Sequence, residues 1–194
     1  DHQNKPDIAA SKAREWFDQQ GVDLLIGGTN SGASLAMAKV AAEKKKVFIA
    51  IGSGTAQLTN EQCTPYTVHY AYDTVALARG TGGAIVKQGG KSWYFLTADY
   101  AFGQSLEKDT ADVVKAGGGT VVGSVKHPLS ASDFSSFLLH GQASKAQVLG
   151  MANAGGDLIN AVKAANEFGL TKKMKVAGLL VFINDVHTLG LNTT

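Results

Sequence analysis

Amphipathic stretches and short apolar runs alternate along this chain. The amphipathic stretches have the spacing of helices that are buried on one side; in the first, Ala9, Ala13 and Phe17 share a face and Gly21 marks the end. The pattern predicts helices over residues 6–20, 33–45, 73–87, 102–116, 134–145 and 157–168. The apolar runs between them predict strands over residues 22–26, 47–51, 93–96, 120–125, 148–151 and 176–180.

The predicted strands are nearly continuous apolar runs, and strict alternation of apolar and polar residues is rare in them. Such runs are typical of parallel strands that helices cover on both faces. Because a helix also separates most successive strands, the sequence predicts an α/β fold. Residues 52–73 are long for a strand-to-helix connection, so they are either a surface excursion or the passage between two α/β lobes.

The composition is that of a packed globular protein, with 44% hydrophobic residues, 18% charged residues and 23 glycines among 194 residues. The net charge is +2, and the basic residues are not gathered in one stretch, which argues against nucleic-acid binding. No apolar run approaches the roughly 20 residues that cross a bilayer. The single Cys63 excludes a disulfide or a cysteine zinc cluster within these residues.

The connections after four predicted strands are rich in Gly, Ser, Thr and Asn. They cover residues 27–32, 52–55, 97–103 and 153–157. In a parallel sheet these connections lie at the same edge, the carboxyl ends of the strands, where ligands bind. Each connection also leads toward a helix, and the free N–H groups of a first helical turn can bind a carboxylate or a phosphate. Any one of them is explained by helix capping alone. Four at one edge favour a binding cleft.

Sequence motifs for nucleotide binding and catalysis are missing from these connections. Residues 27–32 lack the G-x-G-x-x-G spacing, and no Gly-Lys-Ser/Thr P-loop occurs. Ser53 lies between glycines, but not in a G-x-S-x-G motif. The five histidines show no zinc spacing. We therefore expect no catalytic residue, no metal site and no cofactor, although an α/β enzyme such as an amidase stays open as an alternative.

Several segments, taken in order, resemble the type I periplasmic binding proteins of branched-chain amino-acid ABC transporters. They are residues 25–31 (LIGGTNS), 52–59 (GSGTAQLT), 99–103 (DYAFG) and 150–157 (GMANAGGD). The resemblance implies two α/β lobes, joined by crossover strands, with the ligand clamped between them. It places residues 1–70 in the N-terminal lobe and residues 71–194 in the second lobe. It also leads us to expect a fragment that lacks the first β-α-β unit and the C-terminal part.

The same resemblance implies a set of ligand-binding residues. Ser31, flanked by Asn30, takes the place of the family's carboxylate-binding serine. The second connection supplies backbone N–H groups and a hydroxyl, and the second lobe supplies an aromatic wall and a further loop. The ligand-binding residues implied are Asn30, Ser31, Gly52, Ser53, Gly54, Thr55, Tyr100, Phe102, Asn153, Ala154, Gly155 and Leu180.

Leu180 marks a departure from the family pattern. Amino-acid receptors of this family carry an acidic residue after the corresponding strand, where it pairs with the ligand ammonium. An ammonium without that partner in a closed cleft would cost several kcal/mol. The hypothesis is therefore a carboxylate ligand without an α-amino group, with an aromatic or hydrophobic body against Phe102, Leu180 and Phe182. If the alignment with the family pattern is displaced by a residue or two, Asp185 takes the place of the acid that pairs with the ligand ammonium.

The resemblance thus implies a periplasmic receptor for a small carboxylate, whose partners are the membrane permease and ATPase of an ABC transporter. A receptor for branched-chain amino acids or amides is one alternative. The other is a ligand-sensing domain of a signalling protein with the same fold. Transmembrane or output segments flanking the domain would identify a sensor.

Overall fold

A computed structural model describes residues 1–191 and 193 of the chain. The chain divides into two compact units, residues 1–74 and residues 75–194. The assignment of residues 1–70 and 71–194 to the two lobes stays a prediction. Each unit is described by itself.

The first unit is a parallel sheet of three strands in the order β1-β2-β3, with both long helices packed on it. Its elements are α1 (Pro6–Gln19), β1 (Leu24–Gly27), α2 (Ser31–Lys44), β2 (Val47–Ala50), a 3₁₀ turn (Ala56–Leu58) and β3 (Thr67–His69). Alternate strand residues such as Leu25 and Phe48 are buried in one cluster with Ala13 and Phe17 of α1. Residues of the opposite face remain exposed, Leu24 by 43% and Ile26 by 62%. Among the described residues, α1 and α2 both pack on the side of this sheet that carries Leu25 and Phe48.

The second unit contains a parallel sheet in the order β5-β4-β6-β7. Its strands are β4 (Ser92–Ala98), β5 (Thr120–His127), β6 (Val148–Ala152) and β7 (Lys175–Gly178). Its main helices are α5 (Ala101–Ala116), α6 (Ser135–Ala143) and α7 (Gly155–Glu167). Central strand β6 is buried along its whole length, as the continuous apolar run predicts, whereas edge strand β5 alternates between half-buried and exposed residues. The α/β class with parallel sheets flanked by helices is confirmed.

The predicted helix over residues 73–87 is not continuous. It consists of α3 (Thr74–Leu77), a π-helical segment (Ala78–Gly82) and α4 (Gly83–Lys87). Glycine is a weak helix former, and Gly82 packs so closely that a Cβ there would lie 3.0 Å from Thr110 Cγ2. Gly82 therefore lets this segment pack closely against α5 and, for the same reason, weakens regular α-helical geometry.

Four further elements depart from the sequence predictions. The strand expected over residues 176–180 ends at Gly178, so Leu180 follows the strand instead of lying in it. Strand β3 lies inside the connection that was predicted only as a long link. After Leu180 the chain forms α8 (Ile183–Leu189), and a 3₁₀ turn (Leu170–Lys172) precedes β7.

Candidate ligand-binding site

The first part of the site is the start of α2, directly after β1. Asn30 caps the helix, and its Oδ1 accepts the backbone N–H of Ala33 at 3.0 Å. Ser31 is the first helical residue and is buried, and its Oγ accepts the backbone N–H of Thr55 at 3.2 Å. Because this bond uses Ser31 Oγ as the acceptor, the hydroxyl proton remains available to donate. The helix start therefore presents a fixed hydroxyl together with the positive end of the helix dipole.

The second part is the connection after β2, which runs beside the first. A Cβ on Gly52 would lie 3.3 Å from Thr29 Cγ2, so only a small residue permits the two connections to approach this closely. The carbonyl oxygen of Ser53 lies 2.6 Å from His69 Nε2 at the end of β3. Since a carbonyl only accepts hydrogen bonds, His69 donates here. The connection is thus held by a side chain that the sequence did not single out.

Further hydrogen bonds fix the rest of this connection. The carbonyl of Gly54 accepts the N–H of Thr74 at 2.8 Å, and Thr55 Oγ1 accepts the N–H of Gln57 at 3.3 Å where the 3₁₀ turn begins. Ser53 Oγ is buried and has no hydrogen-bond partner among residues 1–191 and 193. A buried hydroxyl without a partner is costly, and one that lies in a connection at the carboxyl edge of a parallel sheet, as Ser53 does, is a candidate for a ligand contact.

In the second unit, the start of α5 packs against the ends of two strands. A Cβ on Gly103 would lie 2.1 Å from the carbonyl oxygen of Ala98 on β4 and 3.0 Å from that of Ala152 on β6. This close approach brings the connection after β4 next to the one after β6. The rings of Tyr100 and Phe102 are tilted against each other with centroids 5.9 Å apart. Phe102 is only 3% exposed, so the predicted aromatic wall is a packed ring in this structure.

The connection after β6 carries Asn153, Ala154 and Gly155. Ala154 caps α7 with extended backbone, and Gly155 opens the helix at φ +58°, a left-handed conformation that glycine adopts without strain. Asn153 is completely buried, and its Nδ2 lies 3.2 Å from Nε2 of His127. His127 ends β5 and is itself fully buried. No local sequence pattern marks this pair, because 26 residues separate its members.

The connection after β7 carries Leu180, which is buried, followed by the half-exposed Val181 and Phe182. Asp185 also lies here, in the first turn of α8. Its Oδ2 accepts the backbone N–H of Phe182 at 2.9 Å, the reciprocal contact of a helix cap. The Asp185 carboxylate is thus engaged at the start of its own helix.

Within each unit the structure therefore groups part of the predicted set. In the first unit Ser31 and Thr55 are in direct contact, with Ser53 in the same connection. In the second unit Tyr100 and Phe102 are in contact beside the connection of Asn153. The part of the chain that the structure describes holds no group of three metal-ligating side chains and no helix long and apolar enough to cross a membrane.

Parallel α/β units with polar, glycine-rich connections at the carboxyl edge define a class of proteins that bind small ligands at helix starts. The chain belongs to the periplasmic binding protein family, whose sequence profile matches residues 1–194. No protein among the curated sequences matches the chain.

Several solved structures are similar to the chain. A periplasmic binding protein from Burkholderia mallei is 75% identical, with a TM-score of 0.98 over 100% of this chain and 52% of that chain. A branched-chain amino-acid ABC transporter periplasmic ligand-binding protein from Burkholderia xenovorans LB400 is 36% identical, with a TM-score of 0.78 over 100% of this chain and 52% of that one.

A solute-binding protein of an ABC transporter from Rhodopseudomonas palustris BisB5, in complex with 3,4-dihydroxy benzoic acid, is 30% identical. Its TM-score is 0.80, over 91% of this chain and 48% of that chain. The chain thus spans about half the length of the relatives it matches. These matches confirm the resemblance to branched-chain amino-acid transporter receptors, including members that bind aromatic acids.

Proposed function

We propose that the protein is the substrate-binding receptor of an ABC transporter and captures a small carboxylate with an aromatic or hydrophobic body. The observation that carries this proposal is the arrangement at the start of α2. There Ser31 Oγ accepts the Thr55 N–H and keeps its proton for a ligand. Ser53 Oγ, in the same connection as Thr55, is buried without a partner among the described residues. Two hydroxyl donors near the positive end of a helix match a carboxylate.

The second unit supplies the contacts for the ligand body in this proposal. Phe102, beside Tyr100, offers an apolar ring, and Leu180 offers an aliphatic side chain. The relative crystallised with 3,4-dihydroxy benzoic acid supports an aromatic acid as the ligand class.

A branched-chain amino acid is the second candidate, and the 36% identical relative named for such a transporter favours it. An amino-acid ligand needs a carboxylate for its ammonium group. The first acid after β7 is Asp185, whose Oδ2 is engaged in capping α8. For this reason we place the aromatic acid first.

In the proposed role the protein is periplasmic, acts without a cofactor, and hands its ligand unchanged to a membrane permease driven by an ATPase. It does not bind nucleic acid in this role. The alternative of a sensor domain shares the binding step and differs in its partner. The alternative of an enzyme differs in the fate of the ligand, since a receptor returns it unaltered after prolonged incubation.

Calorimetric titration of the full protein with benzoate, benzamide and leucine tests the proposal. Benzamide keeps the ring of benzoate but replaces the carboxylate by a neutral group. We expect benzoate to bind and benzamide to bind about tenfold to a hundredfold more weakly, because hydrogen bonds to a charged group are the stronger ones. Tight leucine binding without a response to benzoate would instead identify an amino-acid receptor.

A further inference from the structure

The pair formed by His127 and Asn153 has a defined hydrogen-bonding direction. His127 Nδ1 lies 2.9 Å from the carbonyl oxygen of Pro128, which only accepts, so Nδ1 carries a proton. In the neutral imidazole Nε2 is then an acceptor, and the group facing it at 3.2 Å is Asn153 Nδ2, a donor. The ring packs against Phe134 and Phe137, whose ring centroids lie 4.9 Å and 6.1 Å away.

This direction fixes the amide of Asn153. Its Nδ2 is turned toward His127, which leaves Oδ1 on the other side of the amide group. Oδ1 is buried and has no hydrogen-bond partner within residues 1–191 and 193. Rotating the amide would bring Oδ1 against the Nε2 lone pair, so the residue cannot relieve the unmet acceptor by itself. The buried oxygen therefore calls for a donor from elsewhere.

The position of Asn153 indicates where such a donor comes from. Asn153 directly follows β6, at the carboxyl edge where ligands bind in parallel sheets. The residues next to it are Ala154 and the glycines Gly155 and Gly156, and a Cβ built on either glycine would meet no atom within 4 Å. This open, small-residue connection gives a ligand room to approach an amide that is enclosed in the present structure.

We propose that Asn153 Oδ1 accepts a hydrogen bond from a hydroxyl group on the ring of the ligand, and that His127 is the residue that keeps this oxygen free. The inference rests on the proposed function and narrows its ligand class to hydroxylated aromatic acids. Asn153 acts as the specificity residue, while His127 acts through Asn153 as a positioning residue.

The test compares benzoate with its three monohydroxy derivatives and the matching methoxy derivatives on the full protein. A hydroxyl group donates a hydrogen bond, whereas a methoxy group at the same ring position does not. We expect one hydroxybenzoate to bind about tenfold or more tightly than benzoate, and its methoxy counterpart to show no such gain. Equal affinity for benzoate and all hydroxybenzoates would overturn the inference while leaving the proposed function intact. No binding of any of these acids would overturn the proposed function itself.

The variant Asn153→Leu removes both polar atoms at similar volume. We expect the ratio of the benzoate dissociation constant to the hydroxybenzoate dissociation constant to fall to about one. If N153L acted only on folding, it would weaken the binding of both acids equally and leave this ratio unchanged. Thr110→Val is the matched control. Thr110 Oγ1 is also buried without a hydrogen-bond partner among the residues that the structure describes, but it lies on α5, so the ratio of the two dissociation constants in T110V should match the wild type. A hydroxyl preference that persists in N153L would overturn the assignment.

A measurement on the wild-type protein tests the positioning role of His127 without any variant. Nitrogen-15 spectra of histidine-labelled protein should show His127 protonated at Nδ1, with Nε2 acting as an acceptor. Protonation at Nε2 would overturn the inference, since Asn153 Oδ1 would then face the ring and be satisfied there.

Discussion

The backbone N–H of Thr55 donates to Ser31 Oγ at 3.2 Å, and this bond joins the connections that follow β1 and β2. The Ser31 hydroxyl thereby anchors the second connection as an acceptor, and in the role we propose it donates its own proton to the ligand. The start of α2 contributes the helix dipole at the same place. The carboxylate site that we propose is thus an arrangement of backbone and hydroxyl groups.

Ser31→Ala should weaken both binding and folding. The loss of a hydroxyl donor to a carboxylate costs about 1.5–3 kcal/mol, which is about tenfold to a hundredfold in the dissociation constant of benzoate. The Thr55 N–H also loses its acceptor, so the free energy of unfolding should fall by about 1–3 kcal/mol. Calorimetric titration and urea unfolding measure the two effects.

Ser34→Ala is the control for this variant, because it removes the same group from the same helix. Ser34 Oγ is buried and has no partner among the described residues, so its removal should leave benzoate affinity unchanged and should not lower stability. Equal loss of affinity in both variants would contradict the role given to Ser31.

His69 should matter for ligand binding through the backbone of Ser53. His69→Ala removes the donor that holds the Ser53 carbonyl, and we expect benzoate affinity to fall by about tenfold, the effect of one hydrogen bond. His69→Gln keeps an N–H donor and should recover part of that loss. Titration of both variants checks the prediction, which fails if Gln and Ala behave alike.

Gly103→Ala should destabilise the second unit. The added methyl would lie 2.1 Å from the carbonyl oxygen of Ala98, which is backbone and cannot rotate away. Overpacking of this kind costs about 1–3 kcal/mol, measurable as a lower urea midpoint. Gly80→Ala is the matched control, because its added methyl meets no atom within 4 Å and should change stability by less than about 0.5 kcal/mol.

The Asp133 carboxyl should make the free energy of unfolding depend on pH in the acid range. Hydrogen bonds from the Ser135 hydroxyl and then from the Ser135 backbone N–H lower the pKa of the Asp133 carboxyl. A lowered folded-state pKa stabilises the protein above the pKa of the unfolded chain, and this stability is lost as the pH falls through the folded-state value. Asp133→Asn should therefore flatten the fall in urea midpoint below about pH 4. An unchanged acid profile in D133N would contradict this account.

Sequence pattern predicted the alternation of strands and helices well because these elements are long enough to show a period. Helix α5 has the amphipathic spacing and β6 the continuous apolar run that their packing requires. Strand β3 has only three residues and a single aliphatic one, Val68, so no period was available. The π-helical segment also escaped prediction, because it depends on close packing of Gly82 against Thr110.

The candidate site was predictable only in part, for a related reason. Asn30 and Ser31 follow a strand and begin a helix, so local sequence marks them as capping and anion-binding residues. His69 and His127 act on partners 16 and 26 residues away, and those contacts exist only once the sheets have formed. Burial of Phe102 is likewise a result of tertiary packing.

The most direct test of the account is a crystal structure of the full protein grown with benzoate. We predict that the carboxylate lies within hydrogen-bond distance of the Oγ atoms of Ser31 and Ser53. A benzoate bound away from the start of α2, with both hydroxyls making no contact to it, would contradict the central claim.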